Sequence, residues 1–490
     1  MNLFRLLILI FLSAIFSSCN RPEPKPNIIF IMADDLGYGE LGCYGQEKIS
    51  TPHLDRLAEE GMRFTQFYAG SPVCAPSRCV LLTGKHSGHA AIRDNKEMGG
   101  WKDEEEFGQM ALPDSCITIA ESLKKAGYAT AIIGKWGLGG PDTEGVPNKQ
   151  GFDYFYGYLD QKQAHNYYPT HLWENEAWDT LNNVYFSPHQ QLEGDPDDLS
   201  NFDKYKGEDY AIDEMMERAM QFARVHSHEP FFLYLPLPIP HLALQVPDGA
   251  LKEYLGAFPD TAYLGDKGYL PHPNPKAAYA AMITYMDQWI GRLHDELLLL
   301  GIEDNTIVFF TSDNGATYDR IGGTDTHFFR SNGNLKGFKG SVNEGGIRVP
   351  LIIKWPGKIA PGSVSSHQSA FWDVFTTMED IAGVPEKTTT DGISLLPCLT
   401  GKEDQKEHAY LYWEFPSYGG QQAIIKGKWK GVKQGLNKDP GASMQLFNIL
   451  EDPEELQDIS GDNPDVVKEL ELLMQNARRP SEDFPFLTTN

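Results

Sequence analysis

The chain has 490 residues, of which 41% are hydrophobic and 12% aromatic, and its formal net charge is −26. This length and composition allow a large α/β domain with an ample core and a smaller second domain. The negative charge argues against generic nucleic-acid binding, because duplex affinity depends on Lys and Arg side chains that neutralise phosphates, and an anionic substrate would need a locally basic site.

The first nineteen residues, MNLFRLLILIFLSAIFSSC, contain Arg5, an apolar segment and then small residues before Cys19. This pattern predicts a secretion signal rather than a membrane span. The FSSC ending resembles a bacterial lipobox, so we expect a lipoprotein signal over 1–19, lipidation of Cys19 and a flexible tether over 20–26. The alternative is an ordinary signal peptide with a chance cysteine. We expect an extracytoplasmic protein, in the periplasm or anchored to the outer membrane of a Gram-negative bacterium, that contacts the membrane only through its N-terminal lipid.

Five further cysteines follow, an odd number: Cys43, Cys74, Cys79, Cys116 and Cys398. Outside the cytoplasm, an odd count indicates either a free thiol with a function or a modified one. No pair among them has the spacing of metal ligands.

Helices and short apolar strands alternate along most of the chain. Residues 51–70 begin as a helix near Pro52 that stops at Gly61, and a strand follows. The order helix, strand, loop recurs twice more before residue 241 and again before Ala316. This alternation predicts a large mixed, mainly parallel sheet sandwiched by helices.

The pattern changes near residue 365. The segments HAYLYWEF, QQAIIKGKWKGVK and MQLFNIL predict antiparallel strands, and NPDVVKELELLMQNARR predicts a closing amphipathic helix. We therefore expect a large domain over 27–370 and a smaller C-terminal α/β subdomain with an antiparallel sheet over 371–490.

Four apolar strands are followed by polar residues that can bind a ligand or transfer a proton: Asp34, Asp35, Lys135, His241, Asp313 and Asn314. Ligands bind outside the carboxyl ends of the strands in open α/β sheets, so these side chains predict a site at one edge. The carboxylate and amide oxygens suit Ca²⁺ or Mg²⁺ better than Zn²⁺. Taken singly, Asp-Asp and Asp-Asn-Gly are also common turn sequences.

The stretch CAPSRCVLLTG, from Cys74 to Gly84, resembles the signature of type I, formylglycine-dependent sulfatases, which belong to the alkaline-phosphatase-like superfamily. NIIFIMADDLGYG, GKWGLG, PFFLYLPLPIPH, TSDNG and KGFKGSVNEGGIRVPLIIKWPG follow in the family's order. The resemblance extends over roughly residues 27–480. It implies the family's fold, with the catalytic domain over 27–370, and sulfuric ester hydrolysis.

The resemblance also implies what Cys74 does. In this family a maturation enzyme oxidises that cysteine to formylglycine (3-oxoalanine), and the hydrated aldehyde provides one hydroxyl that attacks sulfur and a second that later expels sulfate. Asp34, Asp35, Asp313, Asn314 and the oxygen derived from Cys74 would bind Ca²⁺, with Mg²⁺ the less favoured ion.

Basic residues complete the expected site. The resemblance implies that Arg78 holds the formylglycine hydrate, that Lys135 and Lys339 bind the sulfate, and that His241 protonates the departing alkoxide. Each lysine taken alone could equally be a solvated surface charge.

One position departs from the family pattern. The family often reads GKWHLG where this chain reads GKWGLG, so Gly137 stands in place of a second catalytic histidine. We expect another imidazole to replace it, His86 or His165 first. The alternative is that these histidines line the substrate pocket or lie on the surface.

The expected substrate is a sulfated carbohydrate, and the segment from His165 to Trp178 is rich in rings that could stack on a sugar. Candidate substrate contacts are His86, His89, Arg93, Asp94, Asn95, His165 and Trp173. The aromatic segment could instead anchor a loop. Similarly, the high aromatic content of the whole chain could simply reflect a large aromatic core. Two alternative functions are a phosphodiester or phosphonate monoester hydrolase of the same superfamily, and a lipid-anchored glycan-binding protein without catalysis.

Overall fold

The structure is a computed structural model, and it describes residues 24–486. The predicted signal, the lipidated Cys19 and residues 20–23 of the predicted tether lie outside the described residues. Between 24 and 486, no helix has the length and apolar character needed to cross a membrane.

Eighteen strands form the sheets within residues 24–486. They are β1 (Asn27–Ala33), β2 (Met62–Phe64), β3 (Phe67–Tyr68), β4 (Trp101–Lys102), β5 (Glu105–Glu106), β6 (Ala129–Lys135), β7 (Tyr154–Tyr158), β8 (His171–Glu174), β9 (Ala177–Thr180), β10 (Phe231–Pro236), β11 (Thr306–Ser312), β12 (Leu351–Lys354), β13 (Ser363–Ser365), β14 (Ser369–Ala370), β15 (Leu411–Phe415), β16 (Gln421–Lys426), β17 (Trp429–Gln434) and β18 (Gln445–Asn448).

The main sheet has ten strands in the order β13-β2-β12-β11-β1-β10-β6-β7-β8-β9. Its centre is parallel, since β1 pairs in parallel with both β10 and β11, and β6 pairs in parallel with β10 and β7. Antiparallel pairs flank this centre on both sides, through β12 and β8. The prediction of a large mixed, mainly parallel sheet is confirmed.

The α-helices are α1 (Pro52–Glu60), α2 (Cys74–Thr83), α3 (Ile119–Lys125), α4 (Ala211–Val225), α5 (Asp248–Leu251), α6 (Pro275–Leu299), α7 (Thr326–Phe329), α8 (Glu344–Ile347), α9 (Phe371–Ala382), α10 (Leu396–Leu399) and α11 (Pro464–Asn476). The predicted helix at Pro52 ends at Glu60, with Gly61 as its C-cap.

Helices cover both faces of the main sheet. All seven residues of β1 are buried, as expected for a central parallel strand. Its alternate side chains enter two cores, so that Phe30 packs with residues of α2, α3 and α9 while Ile31 packs with residues of α1, α4 and α6. The helix that starts at Cys74 is therefore held directly against the sheet.

The predicted C-terminal antiparallel sheet is confirmed as a separate four-stranded sheet in the order β15-β16-β17-β18. A buried ion-pair network ties it to the large sheet's loops, because Lys430 lies 2.8 Å from Glu344 and 3.0 Å from Glu455. Helix α9, which begins at the predicted domain boundary, packs against α2 in the large core. The boundary at residue 370 stays a prediction.

Candidate active site

Three strands from the parallel centre of the sheet deliver the polar residues of the site to one edge. Asp34 and Asp35 follow β1, Asp313 follows β11, and Lys135 is the last residue of β6. The Asp313 N–H donates to the Ala33 carbonyl at 3.0 Å, which extends the pairing of β1 and β11 up to the carboxylates. Asp35 has a φ of 64°, a left-handed conformation that is rare for residues other than glycine and is often found at functional sites.

Cys74 is the first residue of α2 and is buried. Its Sγ lies 3.3 Å from Asp34 Oδ1 and 3.4 Å from Lys339 Nζ. The Ala75 N–H donates to Asn95 Oδ1 at 2.9 Å, so a side-chain oxygen satisfies one of the free amides at the start of the helix. Burial, reinforced by Asp313 and Asp34, raises the pKa of the Cys74 thiol well above its usual value. The unmodified thiol is therefore held neutral.

Three cations converge on this cysteine and its carboxylates. Arg78, one helical turn after Cys74, donates from Nη2 to Asp313 Oδ2 at 2.9 Å and approaches Asp34 Oδ2 at 3.4 Å. Lys135 Nζ donates to Asp34 Oδ2, and Lys339 Nζ lies 2.8 Å from Asp35 Oδ1. All three side chains are buried, so three positive charges lie beside Cys74 and balance the three carboxylates within a strongly negative protein.

Burial and the neighbouring charges both shift the pKa values of the carboxylates. Burial and the neighbouring Asp34 raise the pKa of Asp313 to about 6. Burial opposes ionisation of Asp34 as well, but Lys135, His241 and Arg78 prevail and hold the pKa of that carboxyl well below its usual range. A bound cation would relieve the repulsion that remains between these carboxylates.

The donor set fits a hard metal ion. Asp34, Asp35, Cys74 and His241 offer ligand atoms within 4.8 Å of one another. Asn314 donates from Nδ2 to Asp35 Oδ1 at 2.8 Å, while its Oδ1 is buried without a hydrogen-bond partner. A buried amide oxygen that lacks a donor is an available metal ligand, and with the carboxylates it makes an oxygen-rich set suited to Ca²⁺ or Mg²⁺.

Two imidazoles lie side by side at the edge of the site. His241 Nδ1 lies 2.6 Å from the Leu242 carbonyl oxygen, which fixes the ring, and its Nε2 faces Asp35 Oδ2 at 3.6 Å. The ring of His165 lies 4.6 Å from that of His241. Burial, aided by Lys339, lowers the pKa of His241 to about 4. Burial and the neighbouring histidines lower the pKa of His165 well below its usual value, so both rings are neutral near pH 7.

The structure does not bring His86 and His89 to Cys74. Both follow the far end of α2, a helix of 10 residues, which spans roughly 15 Å at ~1.5 Å per residue. There they stack on each other, with centroids 4.2 Å apart, beside Asp391. The structure therefore places both residues away from Cys74, and the hypotheses that His86 replaces the missing imidazole and that His86 and His89 contact substrate stay predictions.

Two other predicted substrate contacts are held by the protein itself. Arg93 is buried and donates to Glu414 Oε1 at 2.7 Å, an ion pair with the C-terminal sheet. Trp173 lies on β8, where its Nε1 donates to Glu106 Oε2 at 2.6 Å and its ring packs against the core. The structure thus gives Arg93 and Trp173 structural partners, whereas Asn95 lies beside the start of α2.

Gly137 has no room for a side chain. A Cβ there would lie 2.3 Å from Gln161 Nε2, and its φ of 78° favours glycine. Gln161 therefore fills the space beside position 137, next to the strand that carries Lys135.

Sequence reasoning missed three rings: His189 and Tyr269, which contact His165, and Trp101, which contacts His189. His189 Nε2 lies 2.9 Å from His165 Nδ1, and Tyr269 has its ring 5.2 Å from that of His165. They come from three separate loops or hairpins, and no motif or spacing in the sequence relates them. The one local signal, the left-handed φ of 63° at Tyr269, is visible only in the structure.

Known proteins match this chain over most of its length. A family model described as Sulfatase matches residues 26–384, and one described as N-sulphoglucosamine sulphohydrolase, C-terminal, matches 338–479. An N-acetylgalactosamine-6-O-sulfatase of Bacteroides thetaiotaomicron is 31% identical over 97% of this chain and 99% of its own length. A steryl-sulfatase of Mus musculus is 31% identical over 80% of this chain and 68% of its own length. A solved structure from "Metabolism of multiple glycosaminoglycans by bacteroides thetaiotaomicron" superposes with a TM-score of 0.72 at 28% identity, covering 93% of this chain and 99% of that one.

Proposed function

Since the chain belongs to the sulfatase family of the alkaline-phosphatase-like superfamily and is a sulfuric ester hydrolase, we propose that it removes sulfate from carbohydrates with a nucleophile made from Cys74. The observation that carries the proposal is the position of Cys74, at the buried start of α2 between Asp34 and Lys339. Burial keeps the unmodified thiol neutral, and a neutral thiol is a poor nucleophile, which supports assigning the attack to a modified residue 74.

Formylglycine at position 74, installed by a maturation enzyme, would supply the hydroxyl groups that attack sulfur and later release sulfate. The side chains around it have separate tasks. Arg78 is paired with Asp313 and Lys339 with Asp35. Held by these partners, the two cations would keep the group at residue 74 in one orientation. Lys135 adds a third positive charge, and together the three would bind the sulfate group of the ester.

Asp34, Asp35, Asp313 and Asn314 would hold Ca²⁺, which fits this flexible oxygen-rich set better than Mg²⁺. When bound, the ion supplies positive charge that offsets the negative charge of the nucleophile and the sulfate. The unpartnered Asn314 Oδ1 supports its inclusion among the ligands.

His241 would donate the proton that the leaving oxygen needs. Its pKa is lowered by burial and by Lys339, and an anionic ester bound beside Lys339 would offset that lysine's charge and favour the protonated ring. Nδ1 at the Leu242 carbonyl leaves Nε2 as the nitrogen that faces the site. His165, neutral and adjacent, would be the base that replaces the family histidine absent at Gly137.

The carbohydrate assignment is supported by the relative named N-acetylgalactosamine-6-O-sulfatase, which aligns over nearly its whole length. The steryl-sulfatase aligns over a smaller share of its own chain. With the predicted signal and lipidated Cys19, the proposal describes an extracytoplasmic lipoprotein that desulfates glycans.

The test is sulfate release by full-length protein matured in a host that makes formylglycine. Cys74→Ala should abolish release, and Cys116→Ser, which changes a half-buried thiol elsewhere, should leave it intact. Peptide mass mapping should find formylglycine at position 74 in active material. An unmodified thiol in fully active protein, or faster turnover of an aryl phosphate than of the matching aryl sulfate, would contradict the proposal.

A further inference from the structure

We infer that four rings beside His241, those of Trp101, His165, His189 and Tyr269, form the surface that receives the sugar ring bearing the sulfate. We call these four residues the ring wall. The inference rests on the proposed function and goes beyond it by assigning the substrate contacts and the chemical class that they select.

The four rings are continuous. Centroids lie 5.5 Å apart between Trp101 and His189, 4.8 Å between His189 and Tyr269, and 5.2 Å between His165 and Tyr269. A hydrogen bond of 2.9 Å between His165 Nδ1 and His189 Nε2 fixes the relative orientation of the two imidazoles. The wall is therefore a pre-formed surface rather than four separate loop residues.

The wall begins at the reacting centre. His165 stacks on His241, and the Tyr269 ring lies 6.0 Å from His241. Since His241 is the group proposed to protonate the leaving oxygen, the sugar that carries this oxygen must pass beside these rings. Tyr269 has a left-handed backbone conformation, which costs free energy. Such strain is common at functional sites, where it orients a side chain toward a ligand.

The rings of the wall are accessible. His189 is exposed, and Trp101, His165 and Tyr269 are half-buried. Tyr158 and Tyr167, by contrast, are closed to a ligand, since each has at most 1% of its surface exposed. Accessible aromatic faces beside a polar centre are the usual stacking surfaces for the apolar faces of sugars.

The chemistry of the wall favours a saccharide over a steroid. Two of its four rings are imidazoles and a third carries a phenolic hydroxyl, so its edges offer hydrogen-bond donors and acceptors. Lys162 adds a charge 5.6 Å from the Trp101 ring centroid. A sterol would leave these polar groups unpaired on binding, whereas sugar hydroxyls satisfy them.

The experiment compares kcat/KM for a sulfated monosaccharide, an aryl sulfate and a steroid sulfate. The monosaccharide is the one that the wild type cleaves fastest among O-sulfated N-acetylhexosamines and galactoses. Trp101→Ala should lower the ratio of saccharide to aryl kcat/KM about tenfold, chiefly by raising KM for the saccharide. Trp429→Ala is the matched control, because Trp429 is also half-buried with a lysine over its ring but lies on β17, and it should leave the ratio unchanged.

His189→Ala is the second variant, since its exposed side chain can be removed without opening the core, and it should lower the same ratio. If both variants keep the wild-type ratio while the wild type cleaves these esters, the ring wall does not bind the sugar and the sulfatase proposal stands. If Trp101→Ala loses turnover of a preferred steroid sulfate instead, the saccharide assignment is overturned. If matured wild type cleaves none of the three esters, the proposed function itself fails.

Discussion

The imidazole of His165 stacks on that of His241, with ring centroids 4.6 Å apart and planes 12° apart. The site therefore contains a second imidazole even though Gly137 occupies the position where the family often has one. Both imidazoles are held neutral, so each could accept a proton, but Asp35 lies 3.6 Å from His241 Nε2 and favours the protonated form of His241, which can donate one.

This relationship predicts that His165→Ala lowers kcat about 100-fold or more, the usual contribution of a general base. An aryl sulfate should be the substrate in this measurement, and kcat is compared at saturating substrate, where a loss of binding that is equal in the ground state and the transition state has no effect. The acidic limb of the pH profile of kcat should change with the variant.

His226→Ala is the control, since His226 bonds to Glu229 at the end of α4, before the start of β10, whereas His241 follows the other end of that strand. A His165→Ala enzyme with the wild-type kcat and pH profile would assign the missing base to another group.

The second prediction concerns Gly137→His, which restores the family residue. Its Cβ would clash with Gln161 Nε2, and a non-glycine residue at this φ costs about 1–3 kcal/mol. We expect a lower thermal midpoint and no gain in kcat.

Adding Gln161→Ala to Gly137→His should recover part of the lost stability, because it removes the atoms that the new side chain meets. Higher kcat in the single variant, with unchanged stability, would show that the site still accepts the family arrangement.

Much of this site could be predicted because strand ends define an edge. NIIFIMA is apolar after Asn27, which predicts a central strand, so the residues that follow it are expected at the carboxyl edge. The same reasoning applied to TIVFFTS gives Asp313 and Asn314. Lys339 required the family motif, since it lies in a loop whose path depends on backbone bonds to Ala316 and Pro72.

The substrate side could not be predicted, because its residues converge through loops. The aromatic segment after His165 was expected to face a sugar, but its alternation makes β8 and β9, and Trp173 turns toward Glu106. Trp101, His189 and Tyr269 are distant in sequence, and only tertiary packing brings their rings together.

The third prediction tests the metal. After treatment with a chelator, adding Ca²⁺ should raise the thermal midpoint of the wild type, because an ion at a hundredfold excess over its Kd stabilises the fold by about 2.7 kcal/mol. Asn314→Ala should reduce this gain, since it removes a buried oxygen that has no protein donor.

Asn334→Ala, which removes an exposed amide that accepts from Arg330, should keep the full gain. An equal gain in Asn314→Ala would exclude Asn314 from the ligands, and no gain in the wild type would argue against a Ca²⁺ site.

The fourth prediction concerns acid stability and the buried His272. Its ring is near Lys206 and Asp248, it is not one of the proposed metal ligands, and its Nδ1 accepts the Asn274 N–H at 3.0 Å. Burial lowers the pKa of His272 from 6.5 to about 4. Between these values the unfolded chain binds more protons than the folded one, so the free energy of unfolding rises with pH across this window and is lost as pH falls through it. The full loss is about 3 kcal/mol, since each unit of pKa corresponds to ~1.4 kcal/mol.

His272→Asn keeps an acceptor for Asn274 and cannot titrate, so urea unfolding at several pH values should show a shallower decline below pH 6.5 than in the wild type. His226→Asn, at a half-buried position on the end of α4, serves as the control for loss of an imidazole. If His272→Asn and the wild type decline in parallel, proton uptake at His272 does not contribute to acid unfolding.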